Sequence, residues 1–336
     1  MKKNIALIYG GEGAEASISV RSAESVYGYI NKNEYRVYPV FISPKGEWIL
    51  TEKVEIPSGE RQEIFPVYIH GKSGILMSGE IIPLDAAIPL LHGDFGEDGR
   101  IQGALDTAHV KYVGCGVTAS AVCADKILTK MIADGLSIPT ADWIYADTDD
   151  ADVARRQAEA QLGYPMFIKP AMLGSSIGAA AALDEAEFTR VYSEAARYGR
   201  VLIERLLPVA YEVECAILSY GGVMLINPAG TVQTNGAFYD YRSKYDGARS
   251  PKTSHRTSDD PTRKRIAKMA RVLAEAIGIS HLSRIDFLVT RDGEIYFNEI
   301  NTIPGMTATS LYPLLTEGMG LARGEFINRL LAEITS

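Results

Sequence analysis

Residues 283 to 310 read SRIDFLVTRDGEIYFNEINTIPGMTATS, and four side chains in this stretch have the types and spacing for cation and phosphate chemistry. Two β-rich runs, 284 to 290 and 294 to 301, flank Asp292-Gly293, and Asp-Gly is a strong signal for a two-residue hairpin turn. With those two residues as the loop, Arg291 faces Glu294, Val289 faces Tyr296, Asp286 faces Glu299 and Arg284 faces Asn301. Side chains alternate with a period of two, so Arg284, Asp286, Glu299 and Asn301 project from one face. Opposed residues have Cβ atoms ~5 Å apart, and two carboxylates at that spacing repel by roughly 3 kcal/mol at an effective dielectric of about 20. One account of the pair is a solvated strand face neutralised by an arginine. The alternates Phe287, Val289, Tyr296 and Ile300 instead predict a buried sheet, and Asn301 adds a neutral oxygen. Oxygen donors without His or Cys suit Mg²⁺ held jointly by protein and substrate phosphates, so the patch predicts a magnesium-nucleotide site.

The elements that must position this patch alternate between strand and helix. Residues 4 to 9 read as a buried strand, followed by GGEGAEAS and a helix over 18 to 30 with Val20, Val26, Tyr27 and Ile30 on its inner face. The glycines do not match GxGxxG, which disfavours a dinucleotide-binding dehydrogenase. Glu15 falls at the turn, where its simplest reading is an acidic residue near a helix N-terminus. Strands are predicted at 36 to 42 and 86 to 91, the latter delivering HGDFGEDGRIQG (92 to 103) at its C-terminal end, where α/β sheets bind ligands. His92 reads equally as a ligand contact or a loop residue.

TASAVCADKILTKMIADG (118 to 135) reads as one capped helix, started by Thr118, striped by Ala121, Ile127, Leu128 and Met131, and stopped by Gly135. On that reading Lys126 is a surface lysine. DTDDADVARRQAEAQ reads as a solvated connecting helix. YPMFIKPAMLGSSIG (164 to 178) reads as a strand delivering Lys169 and a glycine-serine turn. Its free N–H and hydroxyl groups suit phosphates, although a plain hairpin turn accounts for it equally. VLIERLLPVAYEVECAIL reads as two strands with Glu204 and Glu212 near their ends or edges. Residues 234 to 261 lack periodicity over a length typical of a lid or a disordered segment. A charged helix over 262 to 278 leads back to the hairpin.

The 336 residues, 46% of them hydrophobic, suffice for a substantial core and two or three domains. A net charge of -8 without a long basic run argues against a nucleic-acid surface. The first apolar run ends at Gly10-Gly11, too soon for a signal-peptide core, and no stretch is long enough to cross a bilayer. Cys115, Cys123 and Cys215, an odd number without CxxC spacing, indicate neither a disulfide framework nor zinc. A reducing cytoplasm is the expected location.

GGEGAE with Glu15, HGDFGEDGRIQG, KPAMLGSSIG, YEVECAIL, FYDYRSKY, and RIDF followed by NEINTIPGMTATSLYP occur in the order and approximate spacing of the D-alanine:D-alanine ligases of the ATP-grasp superfamily. The resemblance runs from Ile5 to about Leu321. It implies an α/β, three-domain ATP-grasp fold: an N-terminal parallel α/β (Rossmann-like) domain at 1–114, a central domain at 115–203, and a C-terminal domain at 204–336 with a lid loop near 234–261. It also implies a homodimer that binds neither nucleic acid nor membrane and takes ATP, D-alanine and two Mg²⁺ ions, with Mn²⁺ as a substitute. In the implied reaction the carboxylate of one D-alanine attacks the γ-phosphate of ATP, and a second D-alanine displaces phosphate from the acyl phosphate, giving a dipeptide for peptidoglycan synthesis.

Carried over position by position, Asp286, Glu299 and Asn301 resemble the metal ligands, with Glu299 bridging. Lys126 and Lys169 resemble the phosphate lysines, supported by Ser176; Glu204 and Glu212 resemble the adenine and ribose contacts, and Lys244 the lid lysine. Glu15, with His92, resembles the holder of the first ammonium; Arg284 and the Gly305 amide, the oxyanion donors; and Ser310 and Leu311, the contacts to the second substrate. Glu15, Ser175 and Tyr245 resemble a hydrogen-bonded triad that closes the lid.

Ala16-Ser17 departs from a basic-acidic pair usual in the family, and DGARSPKTSHRTSDD departs from the usual apolar continuation of the lid. D-lactate-using relatives carry histidine where Lys244-Tyr245 stand, and D-serine-using relatives tend to carry arginine at Leu311. Both positions favour D-alanine as acceptor, while His255 lies in the same loop. The alternatives are a ligase of this fold with D-lactate, D-serine or another acceptor, and a nucleotide-binding regulator without catalysis.

Overall fold

The computed structural model describes residues 1–58, 62–233 and 260–336. β1 (Lys3–Gly10), α1 (Ala16–Tyr29) and β2 (Tyr35–Ile42) open the chain, followed by β3 (Trp48–Leu50) and β4 (Gln62–Glu63). β5 (Phe65–Ile69), β6 (Lys72–Met77) and β7 (Glu80–Pro83) form a small antiparallel sheet, after which β8 (Ala86–Pro89) rejoins the first. That first sheet has the order β4-β3-β2-β1-β8, with β1 parallel to both neighbours. Ile5 to Tyr9 are all buried, as expected for an inner parallel strand covered on both faces. The chain leaves β1 for β2 on one side and takes β8 on the other, so the loops after β1 and β8 open a crevice where the strand order reverses.

α2 (Arg100–Thr107) is followed by α3 (Val117–Ala124) and α4 (Lys126–Gly135). The single helix expected over 118 to 135 is thus two. Asp125 adopts extended backbone and its carboxylate accepts from the N–H groups of Ile127 and Leu128, capping α4, while α3 begins after Gly116 rather than at Thr118. The break turns the apolar stripe: Ile127 is buried, but Leu128 and Met131 are exposed, and Lys126, Thr129 and Lys130 face inward.

β9 (Trp143–Ala146), α5 (Ala151–Gln161), β10 (Met166–Pro170), β11 (Ala180–Ala182), α6 (Glu185–Ala196) and β12 (Val201–Arg205) build a second sheet of order β11-β10-β12-β9. Met166, Ile168 and Ile203 share a core with Ala154 and Ala158 of α5 and Phe188 and Val191 of α6. Leu202 instead packs with Ile127 of α4. The face opposite α5 and α6 is therefore free to present Lys169.

β13 (Val209–Tyr220), β14 (Val223–Gln233), α7 (Pro261–Ile277), β15 (Leu282–Thr290) and β16 (Ile295–Asn301) form the third large unit, with strand order β14-β13-β15-β16. Val213, Cys215, Ile285, Phe287 and Ile300 bury one sheet face against Ile266, Ala270 and Leu273 of α7. α8 (Leu311–Glu317) and α9 (Glu325–Thr335) return to the first sheet, where Tyr312, Phe326 and Leu330 join Leu7, Val26 and Ile88 in one core. Among the described residues no helix is long and apolar enough to cross a membrane.

The β15–β16 hairpin departs from the expected two-residue turn. Thr290 N–H donates to the Glu294 carbonyl and Gly293 N–H to the Thr290 carbonyl, leaving a three-residue loop whose last member, Gly293, has φ +85°. A three-residue hairpin needs a left-handed residue there, which glycine supplies. Val289 consequently pairs with Ile295, not Tyr296. A bulge between the Phe287–Phe297 and Asp286–Glu299 pairs adds Asn298 to β16 and shifts the register back. The two departures cancel, so Asp286 faces Glu299 and Arg284 faces Asn301 as expected.

Candidate active site

The face of the third sheet turned away from α7 carries a row of carboxylates, because Glu214 of β13 pairs with Asp286 of β15, which pairs with Glu299 of β16. The next row holds Arg284 beside Asn301. Arg284 Nε and Nη2 donate to the two Asp286 oxygens at 2.8 and 2.6 Å, and Nε lies 3.5 Å from Glu214. Asn301 Nδ2 approaches Asp286 at 3.3 Å. Burial opposes the Arg284 charge, but the carboxylates of Asp286 and Glu214 outweigh it and hold the guanidinium well above its ordinary pKa.

The second sheet faces this row across a cleft partly open to solvent. α4 and β10 supply its cations. Lys126 is buried rather than on the surface: Asp125 caps its helix, its own N–H donates to the Ala171 carbonyl, and its ammonium donates to the Leu173 carbonyl at 2.7 Å. The same ammonium lies 3.8 Å from Glu299, linking the two sheets. Lys169 Nζ contacts Glu204 Oε2 at 2.8 Å and donates to Asn298 Oδ1 at 3.2 Å. Burial alone pushes the Glu204 carboxyl up, but Lys130 and Lys169 outweigh it and hold it at about 2. Glu204 is the penultimate residue of β12, near the strand end as expected, and since β12 and β13 are both interior strands neither Glu204 nor Glu212 is at a sheet edge. Glu212 and Ser176 line the cleft.

At the crevice of the first sheet, the Ser175 hydroxyl donates to Glu15, joining the 171–179 loop to the N-terminus of α1. Ser175 and Ser176 have φ of 51° and 59°, so the turn runs through two successive positive-φ residues. Glu15 also lies against Gly93, where an added Cβ would sit 2.5 Å from Oε2, and the φ of +69° there is left-handed backbone that favours glycine. His92 is buried and tied at both nitrogens: Nδ1 lies 2.9 Å from the Ile303 carbonyl and Nε2 lies 2.9 Å from the Ser22 hydroxyl. A carbonyl can only accept, so Nδ1 carries the proton and Nε2 accepts from Ser22. Burial pushes the His92 pKa down, against the pull of Glu15, in keeping with a neutral ring. Glu97 accepts from the Gly93 and Ile303 N–H groups, and burial, reinforced by the Glu15 charge, raises it to about 7. Segment 302–306 is thereby clamped onto the first sheet's loops. Ser310 stands beyond it, its hydroxyl 2.7 Å from that of Thr307, and Leu311 is buried at the start of α8. Gly305 lies within the same segment. Lys244 and Tyr245, with the rest of 234–259, lie outside the described residues.

Sequence reasoning missed four residues here. Asn298 reaches the cleft only because of the bulge, and Glu214 joins the row only through the pairing of β13 with β15. Lys130 was hidden by the misplaced stripe of α4, and Glu97 stood unmarked within HGDFGEDG. The alternating acid pattern of YEVECAIL was the one available signal for Glu214.

The donor set tests whether a divalent cation fits. Among the described residues three cations (Lys126, Lys169, Arg284) and four carboxylates (Glu212, Glu214, Asp286, Glu299) line the cleft. A polyphosphate entering such a surface meets net repulsion unless divalent cations accompany it. Asp286, Glu299 and Asn301 are hard oxygen ligands that fit them. No described group of three or more His, Cys, Asp or Glu side chains forms a metal cage.

Residues 4–115 match the profile described as D-ala D-ala ligase N-terminus, and residues 132–332 match D-ala D-ala ligase C-terminus. A D-alanine--D-alanine ligase of Thermoanaerobacter sp. (strain X514) is 36% identical over 98% of this chain and 96% of its own. Among solved structures, the VanG D-Ala:D-Ser ligase from Enterococcus faecalis superposes with a TM-score of 0.86 at 31% identity, covering 99% of this chain and all (100%) of its own. The D-alanine-D-alanine ligase from Coxiella burnetii gives 0.82 at 28% identity, with 99% and 95% covered.

Proposed function

The chain belongs to the D-alanine–D-alanine ligase family, and on that premise we propose that it joins two D-alanines into D-alanyl-D-alanine with ATP, for peptidoglycan synthesis. The observation that carries this reading is the cleft in which Lys126 and Lys169 on one side oppose the Glu214–Asp286–Glu299 row on the other. Lysines and divalent cations together are what phosphoryl transfer requires, because its catalysis is mainly positioning and charge stabilisation.

In the proposed mechanism Lys126, Lys169 and Ser176 hold the nucleotide phosphates, and Glu204 and Glu212 lie at its adenine and ribose end. Asp286, Glu299 and Asn301 would hold two magnesium ions, or manganese, which neutralise phosphate oxygens when bound. Glu15, with the His92 loop behind it, holds the ammonium of the first D-alanine. A carboxylate oxygen of that substrate attacks the γ-phosphorus, the bridging P–O bond breaks, and ADP leaves. The amine of the second D-alanine, placed by Ser310 and Leu311, then attacks the acyl carbon. Arg284 and the Gly305 N–H stabilise the oxyanion until the C–O bond breaks, inorganic phosphate departs and the nitrogen loses a proton. The three-domain division at 1–114, 115–203 and 204–336, a homodimer and a cytoplasmic location belong to the same proposal.

Phosphate release with Mg-ATP and D-alanine tests it, with products identified by mass spectrometry while D-serine and D-lactate compete. D-Alanyl-D-alanine should dominate. Dominance of a D-serine product or a depsipeptide overturns the acceptor, and nucleotide binding without D-alanine-dependent phosphate release overturns the reaction.

A further inference from the structure

Beneath the cleft lies a buried chain of charges that the mechanism above does not use in full. Lys130 sits on α4 one turn beyond Lys126, and its side chain is completely buried, at 0% exposure. Its ammonium lies 2.6 Å from Glu204 Oε1, while Oε2 of the same carboxylate holds Lys169 at 2.8 Å. Lys169 reaches the cleft wall; Lys130 and Glu204 stand behind it.

We propose that Lys130 is a positioning residue for the nucleotide: it neutralises Glu204 from behind, so that Lys169 keeps a positive charge available to phosphate. The inference rests on reading the cleft as a nucleotide site. One carboxylate shared by two ammonium groups leaves one surplus charge, and Lys169 is the member placed to offer it. A buried lysine is expensive unless paired, and removing one partner of a buried pair leaves the other uncompensated. Without Lys130, Glu204 would be balanced by Lys169 alone. The surplus would vanish and Lys169 would be drawn back onto the carboxylate. The Glu204 carboxylate therefore serves as a clamp on two lysines.

The test titrates Mg-ADP calorimetrically into wild type, Lys130→Met and the double variant Lys130→Met/Glu204→Gln, with circular dichroism to verify folding. Lys130→Met should weaken ADP about tenfold, the scale of one charge-assisted hydrogen bond, and should raise KM for ATP with little change in kcat. Glu204→Gln removes the negative charge but keeps a side-chain oxygen for the adenine end, so adding it restores the surplus charge and should recover most of the lost affinity. A residue that only filled space would make the double variant worse than the single one, and that result overturns the proposal, as does unchanged ADP binding in Lys130→Met. Should Lys130→Met not fold, a folded double variant that binds ADP nearly as wild type supports the charge account, and one that has lost ADP overturns it. Wild type that fails to bind ADP removes the nucleotide reading instead.

Discussion

Glu299 is the side chain on which the chemistry of the cleft converges. It ends the carboxylate row, faces Asp286 across the hairpin and lies 3.8 Å from the Lys126 ammonium. A neutral glutamine of the same shape keeps the strand and removes one anionic oxygen from the proposed cation set. Glu299→Gln should therefore lower kcat by at least about 10²-fold, since a catalytic cation supplies several kcal/mol of charge stabilisation. Steady-state phosphate release measures this, and near-normal turnover would remove Glu299 from the cation set. The types of these residues were legible from local alternation. Their neighbours were not: Lys126 read as a surface lysine because nothing within its own helix says that Leu173 and Glu299 will close over it.

At the scale of elements, α4 matters because both Lys126 and Lys130 ride on it. Asp125 starts the helix, accepting from the Ile127 and Leu128 N–H groups, and pairs with Arg200, whose carbonyl accepts from the Ala171 N–H. Asp125→Ala should cost about 1 kcal/mol for the lost cap, with a further loss from the stranded arginine, and should raise KM for ATP. Asp125→Asn keeps a capping oxygen and should recover the cap's share. Urea unfolding midpoints of the three proteins measure the difference; equal midpoints for the alanine and asparagine variants would deny the cap its role. The hairpin teaches the same lesson about register. Its patch was anticipated correctly through two departures that cancel, a three-residue loop and the Asn298 bulge. Neither is visible in hydrophobic alternation, because Asp-Gly suits more than one hairpin loop and a bulge answers to the partner strand.

Over the whole molecule, segment 302–306 binds the third unit to the first. Ile303 donates to Glu97 and accepts from His92, and Met306 N–H donates to Ser22. The buried Glu97 carboxyl is raised to about 7 from an ordinary value of 4.5. A carboxyl raised on folding binds its proton more tightly in the folded state. Its contribution is therefore full below about pH 4.5 and is lost as pH rises through about pH 7. Glu97→Gln cannot ionise, so its melting temperature relative to wild type should rise across that window. Thermal melts from about pH 5 to about pH 7.5 test the linkage, and a difference that stays flat with pH would contradict it. The join itself could not be foreseen, since Glu97 and Ile303 lie 206 residues apart.

What the sequence by itself determined is what local periodicity and motif order control. These are the alternation that puts Arg284, Asp286, Glu299 and Asn301 on one strand face, the strand-turn-helix opening that leads to Glu15, and the ordered motifs that carry the family resemblance. Only the tertiary structure decided what each of those groups meets. Ser175 reaches Glu15 across 160 positions, Glu214 completes the carboxylate row from a neighbouring strand, and Lys130 is sealed against Glu204. The reason is physical. The direction of a side chain follows from its own backbone, whereas its burial and charge partners depend on contacts between elements distant in the chain.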